Sequence, residues 1–142
     1  MIKEIFFRFE INNHIGTGHA IRCLRIADFF YKKNYKINII ISNQSLIYLK
    51  RLTLKSLNNY KIFKIKISSS IKKDAEDTKI ILSKFKRDTE ILIFKDNYKL
   101  DINWDRIIRS EYSNLIILDD FLDKKHNCKI YIPYPFSLLE QK

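Results

Sequence analysis

Short apolar runs alternate with amphipathic stretches along the whole chain. "IKEIFFRFEI" (Ile2–Ile11) has the length and composition of a strand. "GHAIRCLRIADFFYKK" (Gly18–Lys33) reads as a helix, with Ile21, Leu24, Ala27 and Phe30 or Tyr31 near helical spacing. "KINIIIS" (Lys36–Ser42) is a continuous β-branched run, the pattern of a strand buried on both faces. "NQSLIYLKRLTLKSL" follows as one helix, with Ser42 or Asn43 as its N-cap. "YKIFKIKI" (Tyr60–Ile67) alternates polar and apolar residues, as an edge or half-exposed strand does. "KKDAEDTKIILSKFKRD" carries acids in its first turn and bases in its last, which suits a helix macrodipole. "EILIFKD" (Glu90–Asp96) and "NLIILDD" (Asn114–Asp120) predict two more buried strands, with a short helix between them over roughly Asn103–Tyr112. "CKIYIPY" is a last short strand ended by Pro133 and Pro135.

Strand and helix therefore alternate with connections of a few residues. That order predicts a single Rossmann-like α/β domain, a parallel sheet with helices on both faces. In such a sheet the ligand crevice lies beyond the carboxyl ends of the strands. Three polar clusters fall there: the loop Gly16–His19, "KDNY" (Lys95–Tyr98) and "DDFLDKKH" (Asp119–His126).

The first cluster carries the most chemistry. The chain has only 2 glycines in 142 residues, Gly16 and Gly18, two positions apart, with His19 directly after the second. Glycine after a first strand, opening a helix, lets the backbone turn tightly and approach a ligand. "GTGH" lacks the third glycine of a dinucleotide fingerprint, and no acid ends the second strand. The Lys-Ser/Thr pair of a Walker A loop is missing too, so NAD and ATP are poor candidates. His19 falls in a first helical turn, where unsatisfied N–H groups and the positive dipole end disfavour imidazolium. A neutral imidazole suits a general base; a histidine that only caps or packs at a helix start fits the same position.

Composition narrows the partners. No apolar run approaches the ~18–20 residues that span a bilayer. The N-terminal block lacks a signal-peptide pattern, so a cytoplasmic location is expected. Cys23 and Cys128 match neither a disulfide framework nor a metal spacing and read as buried free thiols. The formal net charge is +11, from 27 Lys+Arg against 16 Asp+Glu. The excess is mostly lysine spread thinly among abundant Ile and Asn, which reads as a compositional bias on surface positions. Neither nucleic acid nor membrane is expected as a partner; a basic surface favours an anionic substrate.

The segment "R-x-E-x-x-x-x-I-G-T-G-H-x-x-R-C-L-x-I-A" (Arg8 to Ala27) resembles the opening signature of the UDP-2,4-diacetamido-2,4,6-trideoxy-β-L-altropyranose hydrolases. These enzymes release UDP from a sugar nucleotide during biosynthesis of pseudaminic acid, a nonulosonic sugar of bacterial flagella and surface polysaccharides. "EILIFKDNYKLDINW" resembles the family's strand, Asp-x-Tyr and following tryptophan. "LIILDDFLDKKHNC" resembles its strand ending in Asp-Asp, then His-x-Cys. The matched segments span about Arg8 to Cys128.

The resemblance implies the N-terminal half of a two-domain architecture similar to the GT-B glycosyltransferases. It implies that His19 activates water for attack on the anomeric carbon, that Tyr98 assists by positioning sugar or water, and that no cofactor or metal is used. It places Gly16, Thr17 and Gly18 against the substrate and Arg22 as a residue that orients substrate or holds the loop. Asp96, Asp119 and Asp120 match the acids of the crevice rim; for the last two, loop-capping carboxylates are an equal reading. Lys95, Asn97 and His126 are expected as solvated loop residues. The chain departs from the family at Glu10, where an aspartate is usual, and in "KIYIPYPFSLLEQK" after Cys128. The family's C-terminal nucleotide-binding domain is absent from the 142 residues. The expected partners are thus a UDP-sugar and, if the halves are split, a polypeptide carrying that second domain. Two further readings remain open: a non-catalytic sugar-binding remnant, and a related GT-B-like transferase.

Overall fold

A computed structural model describes residues 2–85, 90–97, 99–119 and 125–133. In chain order the elements are β1 (Glu4–Phe9), α1 (Gly18–Lys32), β2 (Lys36–Ser42), α2 (Asn43–Arg51), a 3₁₀ turn (Lys55–Asn59), β3 (Lys61–Ile65), α3 (Ile71–Leu82), β4 (Ile91–Asp96), α4 (Ile102–Arg109), β5 (Leu115–Asp119) and β6 (Ile130–Pro133). The strands form one sheet in the order β3-β2-β1-β4-β5-β6, and every pairing is parallel. The Rossmann-like α/β layout predicted from the sequence is therefore present. Strand order reverses between β1 and β4, where Phe9 lies opposite Asp96. This is the switch point at which such sheets open a crevice.

Side chains of β1 alternate across the sheet and so feed two cores. Ile5, Phe7 and Phe9 join Ala20, Cys23, Leu24 and Ala27 of α1 and Leu49 of α2 on one face. Phe6 joins Ala75, Ile81 and Leu82 of α3 and Trp104 and Ile108 of α4 on the other. Phe7 stacks on Phe94 at 4.9 Å between ring centroids, and Phe6 meets Phe85 edge-on at 4.9 Å. Burial of each such side chain contributes about 1.5–3 kcal/mol. The half-exposed run at 61–65 is an edge strand, as its alternation predicts, and the proline-closed run at 130–133 is the opposite edge.

The expected second helix is shorter than its pattern. It stops at Arg51; Thr53 has φ +49°, and the chain resumes as the 3₁₀ turn. A continuous helix, at about 100° per residue, would carry Leu54 roughly 140° around from Leu49. The break lets Leu52, Leu54 and Leu57 all pack on the same core as Leu49. Similarly, α4 ends at Arg109 instead of near Tyr112, whose N–H still bonds to the Ile108 carbonyl at 3.0 Å while its ring is buried. Among the described residues no helix is long and apolar enough to cross a membrane. Cys23 is a buried free thiol as expected; Cys128 is only half-buried.

Candidate active site

The loop between β1 and α1 is built by Asn12. Its Oδ1 accepts from the N–H groups of His14 (2.8 Å) and Ile15 (2.7 Å), and its carbonyl accepts from Gly16 N–H at 2.7 Å. Closing this turn requires φ +76° at Gly16, a conformation that favours glycine. Gly18 opens α1 and has no such demand. Apart from its chain neighbours and its own helix backbone, no described atom lies within 4 Å of where a Cβ would sit on it, so neither backbone strain nor packing accounts for the missing side chain. The two glycines should separate accordingly. Gly16→Ala is expected to lose about 1–2 kcal/mol in urea denaturation. Gly18→Ala is expected to leave stability unchanged or slightly raised, and to weaken substrate binding if this helix start lies against the ligand.

Thr17 and Gly18 are exposed at this start, and Thr17 makes no side-chain capping bond. The other three α-helices among the described residues are capped by Ser42, Ser70 and Asp101 respectively. One residue into α1, His19 is nearly buried and its Nδ1 hydrogen-bonds to Oδ1 of Asp96, the last residue of β4. Arg22 grips the same carboxylate with two bonds, Nε to Oδ2 at 2.7 Å and Nη2 to Oδ1 at 2.6 Å. Cys23 Sγ lies 3.6 Å from Oδ2. Positions 19, 22 and 23 share one helix face by their spacing of three and four, so a single turn of α1 surrounds Asp96.

The electrostatics follow from this packing. Burial alone would raise the Asp96 pKa, but the hydrogen bonds from His19 and Arg22 outweigh it and hold the carboxyl below its ordinary value. The Cys23 thiol is pushed well up, by burial first and then by the Asp96 charge, so it stays protonated and is no nucleophile. Asp96, which the sequence alone did not place against Nδ1, fixes the ring through that bond. With Nδ1 committed to Asp96, proton exchange with a substrate must go through Nε2.

Asp96 was expected among the substrate ligands. Its side chain is fully buried and both oxygens are taken by His19 and Arg22, so its place in the structure is that of a carboxylate holding these two side chains. Arg22 likewise holds the assembly together. Asp119 ends β5 beside β4, at the same rim of the sheet. Tyr98 and Asp120 lie outside the described residues.

His19, Asp96, Asn97, Lys99, Glu10 and Ile15 surround a small hollow of about 10 Å³. It adjoins a cleft of about 120 Å³ whose lining includes Arg8, Glu10, Ser42, Asp74, Asn97 and Lys99. The cleft wall is a closed network. Arg8 donates to Asp74 through Nε (3.2 Å) and Nη2 (2.6 Å), and its Nη1 lies 3.0 Å from Glu10. Burial opposes the Arg8 charge, yet Asp74 and Glu10 more than compensate and raise its pKa. Trp104 Nε1 donates to Asp74 at 2.9 Å. Glu10 reaches the N–H (3.1 Å) and hydroxyl (2.8 Å) of Ser42 and the hydroxyl of Ser45. That carboxylate thus ties the end of β1 to the start of α2.

Lys95 corrects an expectation: it is a core residue, 1% exposed, and not a solvated one. Its Nζ donates to the Leu100 carbonyl at 2.6 Å and to Asp105 Oδ1 at 2.5 Å, and lies 5.5 Å from the Trp104 ring centre. Asp105 Oδ2 accepts from Asn127 N–H at 3.0 Å and lies 3.1 Å from Nδ1 of His126, whose side chain is only 4% exposed and so is not the solvated one expected either. Asn97 is half-buried and caps its own turn. Lys95→Met leaves Asp105 buried without its cation and is expected to cost about 3–5 kcal/mol, read as a lowered urea midpoint. The sequence signal was a charge inside an otherwise apolar strand, "ILIFK".

Among the described residues no three His, Cys, Asp or Glu side chains converge as a metal-ligand set. No family model, curated protein or solved structure matches the chain.

Proposed function

We propose that this chain is the sugar-side half of a nucleotide-sugar hydrolase of GT-B-like plan, releasing UDP from a UDP-diacetamido-trideoxy sugar on the way to pseudaminic acid. The observation that carries the reading is the Asp96-held His19 at an uncapped helix start, at the sheet's switch point. In this mechanism His19 Nε2 takes a proton from water as its oxygen attacks the anomeric carbon. The C–O bond to the diphosphate breaks, and UDP leaves with the bonding electron pair. Asp96 accepts the Nδ1–H bond of the resulting imidazolium and steadies its charge. Tyr98 would assist at the sugar; Tyr98→Phe is expected to slow UDP release less than loss of His19 does.

Binding energy from the nucleotide normally supports chemistry at the reacting carbon. The 142 residues alone should therefore turn over poorly, and a domain binding uridine and diphosphate, joined or supplied in trans, should raise the rate. The test is UDP release from the UDP-sugar by the chain in excess over substrate, with no acceptor present. Release under these conditions separates a hydrolase from a transferase. No release even with the second domain supplied would overturn the reading.

A further inference from the structure

We infer that Lys99 is an anion-binding residue, holding a phosphoryl oxygen of the diphosphate next to the reacting carbon. The inference rests on the hydrolase reading for the identity of the anion and on geometry for the site. Lys99 lines both the hollow at His19 and the adjoining cleft. The other permanent cation of that lining, Arg8, is neutralised by Asp74 and Glu10. Arg22 and Lys95, close by, are likewise paired with Asp96 and Asp105. Lys99 is exposed and has no carboxylate within ion-pair distance among the described residues. A cation left unneutralised at the mouth of a hollow is where an anion gains most from Coulomb attraction.

The backbone beneath Lys99 is held in place. Asn97 accepts from Lys99 N–H through Oδ1 at 3.0 Å, and from Leu100 N–H through its carbonyl at 3.2 Å. The Leu100 carbonyl is in turn held from below by the buried Lys95 ammonium. The Lys95–Asp105 pair, remote from solvent, thus braces the turn that presents Lys99. A lysine is a compact point charge with three donors, suited to a phosphoryl oxygen that shifts as its bond to carbon breaks. The same proton-free interaction stabilises the charge that UDP carries away.

The test uses the 142-residue chain with inorganic pyrophosphate as probe and uridine as uncharged control, followed by amide NMR at low and moderate salt. Pyrophosphate should shift the amides of Asn97, Lys99 and Leu100, with binding weakened by salt. Lys99→Gln should lower pyrophosphate affinity by about tenfold, and Lys99→Arg should restore most of it, while uridine should leave these amides unshifted in all three. Equal pyrophosphate affinity in wild type and Lys99→Gln overturns the assignment, as does failure of the wild type to bind pyrophosphate at millimolar concentration. The UDP-release assay keeps the two ideas apart. Lys99-dependent pyrophosphate binding without UDP release leaves the anion site standing and removes the hydrolase. UDP release with a KM indifferent to Lys99→Gln leaves the hydrolase and removes Lys99.

Discussion

Replacing His19 by alanine is expected to slow UDP release by roughly two to four orders of magnitude, the range a positioned general base supplies. Substrate affinity should change little. In the proposed mechanism the imidazole contributes to the transition state by accepting the water proton, and contributes less to the ground state, in which water has not yet moved. The fold should survive, because Asp96 keeps both bonds from Arg22 and its 3.6 Å approach to Cys23. The measurement is single-turnover UDP release beside a binding titration of the same variant. A near-normal rate means that His19 is not the base. A collapsed affinity with an unchanged rate constant means that it binds substrate instead.

The order of strands and helices was legible because each element carries its period plainly. "KINIIIS" is apolar without a break and lies inside the sheet; "YKIFKIKI" alternates and lies at its edge. Ends were less legible. The run from Asn43 to Leu57 keeps leucines at intervals that no single helix can turn toward one core, and the chain resolves the conflict by breaking at Thr53. Local propensity does not register such a tertiary demand. The sheet order could not be read from the sequence at all, since parallel strands of similar composition differ only in what crosses over them.

At the site, the sequence marked the rim but not the pairings. Gly16, His19, Arg22 and Asp96 stood out as residue types at a helix start and a strand end. That Asp96 serves His19 and Arg22 together depends on the register of β4 against β1, a long-range fact. The opposite error occurred at Lys95. A lysine near a strand end is usually solvated; here the Leu100 carbonyl and Asp105, five and ten residues further on, help make its burial tolerable. Asn12 was missed for a simpler reason: its role is to bond backbone groups two and three residues away, and an asparagine in a loop has no pattern that announces this.

The Asp96→Asn variant is expected to lose both stability and activity, for one reason. His19 Nδ1–H and Arg22 both donate to the carboxylate, which has acceptor capacity for all of them. An amide has a single acceptor oxygen. If that oxygen faces Arg22, the amide NH₂ faces Nδ1 and forces the imidazole proton onto Nε2, where it blocks acceptance of a proton from water. If the oxygen faces His19, the NH₂ opposes the guanidinium. Either way a buried charge partner is lost, at about 3–5 kcal/mol, a large share of the ~5–15 kcal/mol by which domains are stable. The pH dependence identifies the source. The Asp96 carboxyl is held below its ordinary value in the folded chain. Its stabilising contribution is therefore complete above the unfolded carboxyl pKa of about 3.9. It is lost as pH falls through the lower folded value, because protons then bind the native state as well. The gap in urea stability between wild type and Asp96→Asn should be full at pH 7 and shrink below about pH 4. A gap that stays constant to acid pH would place the destabilisation in altered packing. In that case the carboxylate would not be what holds His19 and Arg22.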